Sequence, residues 1–206
     1  MADVQLMQGP RHDVIDPQIG LDMDFVMLLD RLKDIERQNP LTSSDRRERV
    51  AEHSWHLAVA AILLGGYASE DIDFAKAAVF AIVHDAVEIW SGDTFAFGSG
   101  VADQYDREHA AMKLLESDPS PAGRRLLELW MEYERQDTAE ARFVKGLDAV
   151  LPIAHNRRKL EDSSWARHGV GRDQVAARLD RHGDPGRLRP YAEQMIDEAA
   201  AEGVLK

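Results

Sequence analysis

The stretch Ala77-Ala78-Val79-Phe80-Ala81-Ile82-Val83-His84-Asp85-Ala86-Val87-Glu88-Ile89-Trp90 sets the tightest condition on any fold this chain can adopt. Read from Phe74, it predicts a helix through Trp90 that is apolar nearly all round and therefore belongs at the centre of a helical bundle. Three ionisable side chains, His84, Asp85 and Glu88, interrupt it. An uncompensated buried carboxylate costs on the order of several kcal/mol, so cores carry one only when it is paired or ligates a metal. Neutral imidazole with carboxylate suits a first-row divalent ion, and adjacent His84 and Asp85 can converge on an ion beside the helix. A hydrogen-bonded His–Asp pair within a core meets the same condition without metal. The dipeptide alone leaves both readings open.

Two other segments bear on the choice. A helix over residues 50–67 carries His53, Leu57, Ala60, Ala61 and Leu64 at helical spacing, with Gly65-Gly66 weakening its end. Asp148 lies between Leu147 and Val150 on a long helix opened by Asp137-Thr138-Ala139-Glu140, a capping-box-like start in which the short acid caps and Glu140 reaches back. Three helices thus each offer a ligand toward one interior. The chain has no cysteine, so any metal must be held by nitrogen and oxygen.

Elsewhere glycine and proline punctuate segments of helical rather than strand length, without repeats or low-complexity tracts, which predicts an all-α chain. Phe25, Leu28, Leu29, Leu32 and Ile35 form one face of a helix over residues 21–37 that ends at Arg37, followed by a polar loop over 38–49. Residues 91–100 read as a loop at the mouth of whatever the central helix carries, 101–117 as a more polar helix, and 119–136 as a helix with Leu126, Leu129, Trp130 and Tyr133 on one stripe. Pro152 cannot donate to the carbonyl of Asp148, which predicts a kink. Short helices follow around residues 174–181 and 191–202. The expected organisation is a single-domain bundle: an N-terminal extension over 1–20, a core over 21–162, and a C-terminal helical extension over 163–206 packed on the same domain, with no recognisable chemistry in that last part.

A formal net charge of −12 repels phosphate polymers and argues against general DNA or RNA binding. A small phosphorylated substrate would need a local metal ion or arginine to overcome that sign. Residues 1–16 lack the charged start and apolar stretch of a secretory signal, and the longest apolar run, 77–83, is far short of the roughly 20 residues that span a bilayer. The expectation is a cytoplasmic protein that neither crosses nor enters a membrane.

These residues resemble the H…HD…D pattern of the HD-domain metal-dependent phosphohydrolase superfamily, and more closely its 5′-deoxynucleotidase-like branch. Glu48-Arg49-Val50-Ala51-Glu52-His53-Ser54-Trp55 is similar to that branch's first motif, E-x-V-A-E-H-S-W; His84-Asp85, Glu88 and Gly92-Asp93 are similar to its second; and the run from Thr138 to Asp148 is similar to its third. The resemblance spans about residues 28–156. It implies one divalent ion, of cobalt, manganese, magnesium, zinc, nickel or iron, held by His53, His84, Asp85 and Asp148. It also implies hydrolysis of nucleoside 5′-monophosphates by a metal-activated water, with Arg37 holding the phosphate and Asp93 touching the sugar hydroxyl or the attacking water. Glu88, one turn past His84 on the same face, would orient the water or shuttle its proton. A homodimer is implied by the resemblance alone.

The branch carries a tryptophan shortly after its phosphate-holding arginine, whereas Gln38-Asn39-Pro40 follow Arg37 here, which predicts weak discrimination between ribose and deoxyribose. Two alternatives stay open: an HD phosphohydrolase for another small phosphoester or a cyclic nucleotide, and a non-hydrolytic metal-stabilised binding module that would not need Glu88. His56 and His109 read as core or rim residues, Trp130 and Tyr133 as core, and the Arg46-Arg47-Glu48-Arg49 cluster as a solvated loop.

Overall fold

A computed structural model of the chain describes residues 16–98, 100 and 103–206. Residues 1–15 of the expected N-terminal extension, Ser99 of the expected loop, and Val101 and Ala102 at the expected start of the polar helix lie outside them. The described chain is all-α apart from one two-stranded ribbon. None of its described helices is long and apolar enough to cross a membrane.

Helix α1 (Pro17–Leu28) begins earlier than the hydrophobic pattern suggests, because Asp16 accepts a bond from the amide of Gln18 at 2.9 Å and Pro17 occupies the first turn. It also ends earlier. The chain tightens into a 3₁₀ turn over Leu29–Lys33 and then forms strand β1 (Glu36–Pro40), which pairs antiparallel with β2 (Arg47–Arg49). The expected helix through Arg37 and the loop after it are therefore replaced by a hairpin. Tertiary bonds override the helical pattern there: the amide of Val50 donates to the carbonyl of Ile35 at 3.0 Å, and Arg49 Nη1 donates to the carbonyl of Asp34 at 2.7 Å. Side chains alternate along a strand, so Arg37 and Asn39 share the inward face of β1 and both are buried.

Helix α2 (Val50–Leu64) buries His53, Leu57, Ala60 and Ala61 as its spacing predicts. The expected single helix over residues 74–90 is two helices, α3 (Phe74–Val83) and α4 (Glu88–Ser91). Between them the amide of Ala86 bonds to Val83 and that of Glu88 to Asp85, both at 3.0 Å. These three-residue links tighten the turn and place His84 and Asp85 at a break rather than inside a regular helix. Nor is α3 buried all round: Ala77, Phe80 and Ala81 face inward, while Phe74, Val79 and Ile82 are exposed.

Helices α5 (Gln104–Glu116) and α6 (Pro121–Arg135) follow, the latter burying Leu126, Trp130 and Tyr133. Helix α7 (Ala139–Lys159) is capped by Thr138, whose hydroxyl accepts from the amide of Ala141, and not by Asp137. Glu140 does not reach back to close a capping box. It accepts from the amide of Asp73 at 3.1 Å and ties the starts of α3 and α7 together. Helix α7 runs on through Pro152. Three helices complete the chain: α8 (Ser164–His168), α9 (Arg172–Arg181) and α10 (Arg189–Ala201).

Helix α7 has a core on each side. One is built from Leu57, Phe80, Tyr133 and Leu147, among others, where α2, α3 and α6 meet it. The other gathers Val150, Ile153, Trp165, Leu179 and Ile196 from α7 through α10. Asp148 stands between these two sets, so the C-terminal helices pack directly beside it.

Gly146 sets how closely the chain can pass this helix. A Cβ there would lie 2.3 Å from the amide nitrogen of Pro185 and 2.5 Å from the carbonyl carbon of Asp184. Both are backbone atoms that cannot rotate aside, so Gly146→Ala should cost about 1–3 kcal/mol, the usual scale for overpacking. Thermal unfolding reads this as a lowered midpoint, and an unchanged midpoint would refute the close approach.

Candidate metal centre and adjoining pocket

Three elements bring the sequence-predicted ligands to one place. His53 comes from α2, His84 and Asp85 from the turn after α3, and Asp148 from α7. His53 Nε2 lies 2.9 Å from Asp148 Oδ1 and 4.0 Å from Asp85 Oδ2, while His84 Nε2 lies 3.0 Å from Asp85 Oδ2 and 3.9 Å from Asp148 Oδ1. The tautomer of His84 follows from its other nitrogen. Nδ1 sits 2.8 Å from the carbonyl of Ala81, which can only accept, so Nδ1 carries the hydrogen and, in the neutral ring that a metal would bind, Nε2 holds a lone pair. That Nε2 is buried without a hydrogen-bond partner and faces two carboxylates. A lone pair beside carboxylates is unfavourable until a cation comes between them, and the donor set of two imidazoles and two carboxylates fits a divalent ion.

Arg37 is the cluster's counter-ion. Its Nη1 lies 2.8 Å from Asp85 and 3.5 Å from Asp93, its Nη2 3.9 Å from Asp148, and its Nε 3.6 Å from Glu48. The carboxyls respond unequally to one another. Burial pushes Asp85 up, but His84 and Arg37 hold it at about 2. Burial also opposes ionisation of Asp148, and the bond from His53 outweighs it, leaving Asp148 well below the ordinary range. Burial presses His53 down, as does Arg37, yet Asp148 and Glu48 raise it to about 9. Glu88 goes the other way: burial, then the charges of Asp85 and Asp93, lift it well above its usual value. Asp93 is lifted too, by burial acting against Arg37. Acids that burial disposes to keep their protons, beside others that ionise readily, are the division that proton-transfer chemistry uses.

Asp93 reaches the cluster because Gly92, with φ 70° and ψ 162°, turns the chain sharply at the end of α4 in a conformation essentially reserved for glycine. Other supporting groups carry weaker sequence signals. Trp130 Nε1 donates to the carbonyl of His84 at 3.0 Å, and the Tyr133 ring meets the His84 ring edge-on, so these core residues also hold the turn that bears His84. Glu48 Oε2 lies 3.6 Å from His53 Nδ1, on the far side of that ring from Asp148. His56 stacks on His155 close to Glu48. Within the Arg46-to-Arg49 cluster, Arg46 and Arg49 are spent on ion pairs with Glu52 and Glu36, and Glu48 is buried beside Arg37.

A pocket open to solvent adjoins the cluster. Arg37, Asp93 and Arg178 line it together with Phe95, Trp165 and Val175. The loop after α4 therefore does border the site, as its position predicts. The C-terminal helices also contribute walls, which no motif spacing connects to the sequence-predicted ligands. Aromatic surface comes from this loop and from α8 rather than from the residues after Arg37.

An all-helical fold that converges a histidine, a His-Asp pair and a distant aspartate defines the HD class of metal-binding domains. Residues 29–186 match the HD domain family, and the chain belongs to it. It is 40% identical to a predicted metal-dependent phosphohydrolase from Magnetospirillum magnetotacticum MS-1 of known crystal structure, over 91% of this chain and 95% of that one, with a TM-score of 0.79. It is also 33% identical over 129 residues to the human (Homo sapiens) 5′-deoxynucleotidase HDDC2 and 34% identical over 130 residues to the same protein of Bos taurus, each match covering 61% of this chain. The chain spans about 62% of the length of these curated relatives.

Proposed function

We propose that this chain is a metal-dependent phosphohydrolase that cleaves the phosphomonoester of nucleoside 5′-monophosphates. The observation that carries the reading is the buried, unpartnered Nε2 of His84, facing Asp85 and Asp148 beside a pocket that shares Arg37 and Asp93. Membership of the HD family implies a divalent ion, and His53, His84, Asp85 and Asp148 would hold one. When bound, such an ion lowers the pKa of a water molecule and offsets charge on the phosphoryl oxygens.

The remaining steps fall to the chain's own residues. Arg37 exchanges its carboxylate partners for the phosphate, to which a guanidinium binds in a planar, two-point fashion. Glu88, which burial disposes to keep its proton, gives that proton to the departing sugar oxygen and regains one from the attacking water, so that water and ester become phosphate and a free nucleoside hydroxyl. Asp93, beside Arg37, bonds to the sugar hydroxyl. The aromatic and aliphatic walls beyond them suit a flat heterocycle. The names of the similar proteins, a predicted metal-dependent phosphohydrolase and a 5′-deoxynucleotidase, support the same reading.

The test is a phosphate-release screen of chelator-treated protein with manganese, cobalt or magnesium restored. It should include nucleoside 5′-monophosphates in matched ribo and deoxy pairs, cyclic nucleotides and simple phosphoesters. Nucleoside monophosphates should give the highest kcat/KM, with no release before a divalent ion is added. Because Gln38 and Asn39 offer no aromatic face to the sugar, each ribo and deoxy pair should differ by less than about tenfold. A higher kcat/KM for cyclic nucleotides or non-nucleotide esters would replace the substrate assignment, and silence with every ion would overturn the activity.

A further inference from the structure

We infer that Arg178, on helix α9, is a second phosphate-contacting cation of this site, delivered by the C-terminal helices. The inference rests on the phosphoester reading above. Helix α9 anchors to α7 through Val175 and Leu179, both buried in the second core. Arg178 lies on the flank between them and turns toward the cluster, where its Nη2 comes 3.4 Å from Asp148 Oδ2. The two oxygens of Asp148 thus face different partners: Oδ1 looks to His53, His84 and Arg37, and Oδ2 to Arg178.

The guanidinium is held in its pose. His182 Nδ1 lies 3.1 Å from the carbonyl of Arg178 and must carry the hydrogen, which leaves Nε2 to accept from Arg178 Nη1 at 3.3 Å. Burial, and then Arg178 itself, lower the His182 pKa to about 4, so the ring is neutral and free to accept. The bonds to His182 Nε2 and to Asp148 use two of the five N–H donors of the guanidinium. Its side chain keeps 21% of its exposure and lines the same pocket as Arg37. Two guanidiniums therefore flank Asp148 at the pocket's inner end, one from β1 and one from α9.

Such an arrangement favours an anion. A cation shared by Asp85 and Asp148 would draw those carboxylates away from both arginines and leave two positive groups facing the pocket. A phosphate placed against that cation would find an arginine on either side, each able to donate two parallel bonds. A purely structural role for Arg178, as a clamp of α9 on Asp148, makes a different prediction: its loss would weaken metal binding and leave phosphate affinity intact once metal is saturating.

Arg178→Gln, Arg178→Ala and Arg178→Lys in the full chain separate these roles. With the manganese-loaded protein, calorimetry measures inorganic phosphate binding, kinetics give KM and kcat for a nucleoside monophosphate, and a metal titration gives manganese affinity. Arg178→Gln and Arg178→Ala should weaken phosphate binding and raise KM by about tenfold or more, with kcat and manganese affinity changed much less. Arg178→Lys should restore part of the loss. Phosphate affinity within twofold of the parent at saturating manganese, in any folded variant without the charge, overturns the inference; so does a manganese-loaded parent with no measurable phosphate affinity. If no nucleotide is hydrolysed, the calorimetric arm still decides the role of Arg178, and only the nucleotidase reading fails.

Discussion

Replacing Asp148 with alanine will leave the purified protein without stoichiometric metal and without phosphohydrolase activity. Asp148 Oδ1 is the atom around which the cluster is arranged, at 2.9 Å from His53 Nε2, 3.9 Å from His84 Nε2 and 3.9 Å from Arg37 Nη2. Elemental analysis should fall from on the order of one ion per chain to background. Activity should fall by more than the roughly 10–100-fold that loss of a mere supporting partner costs. The fold should suffer as well, because Arg37 and Arg178 would keep their charge with one counter-charge fewer and His53 would lose the partner that raises its pKa. Breaking a buried pair on one side costs about 3–5 kcal/mol. His84→Ala supplies the complement: it removes a ligand nitrogen while Asp85 keeps Arg37 and Asp148 keeps His53, so metal should be lost with a smaller drop in the melting point of the chelated protein. Retention of stoichiometric metal in both variants would sink the ligand assignment.

The cluster was legible in the sequence because its residues violate their surroundings. His53, His84, Asp85, Glu88 and Asp148 stand on otherwise apolar helical stretches, and a buried ionisable group demands a partner whatever the details of the fold. Arg37 was legible only through resemblance, and its setting was misread. A helical pattern in Leu28, Leu29, Leu32 and Ile35 extends toward it, yet bonds from Val50 and Arg49, distant in sequence, fix the backbone at Asp34 and Ile35 as a hairpin entry. Propensity contains no information about such partners. The break after Val83 was hidden for the opposite reason: Ala77 to Trp90 is uniformly apolar around its ionisable residues, and nothing in that composition marks a 3₁₀ turn at His84. Least legible was the pocket. Arg178 lies 30 positions after Asp148, in a segment with no motif, and meets it only because Gly146 lets the chain at Asp184 and Pro185 press against α7 and closes the C-terminal helices onto it.

Glu88→Gln will separate proton handling from everything else the site does. Glu88 is buried, its Oε2 has no hydrogen-bond partner, and burial with the charges of Asp85 and Asp93 raises its pKa well above the usual carboxylate range. In the metal-free protein, then, the folded state keeps the proton on Glu88 to higher pH than the unfolded chain does. The sign follows from that difference: a carboxyl with a raised folded pKa costs stability as the pH rises through the window above its unfolded value, and costs nothing below it. Glutamine has the shape of the protonated acid and cannot ionise. The chelated variant should therefore melt with the parent at low pH and above it at neutral and higher pH. Turnover should move in the opposite direction. Losing a positioned proton carrier lowers kcat by about 10²–10⁴-fold, while KM and metal content, set by other residues, stay within a few-fold. Melting curves, metal content and kcat measured on one preparation distinguish the possibilities. A variant that turns over within a few-fold of the parent removes Glu88 from the proton path, and one that loses its metal makes Glu88 a ligand instead. Only a stable, metal-loaded protein with little turnover is consistent with a neutral acid kept beside ionised ones to move a proton.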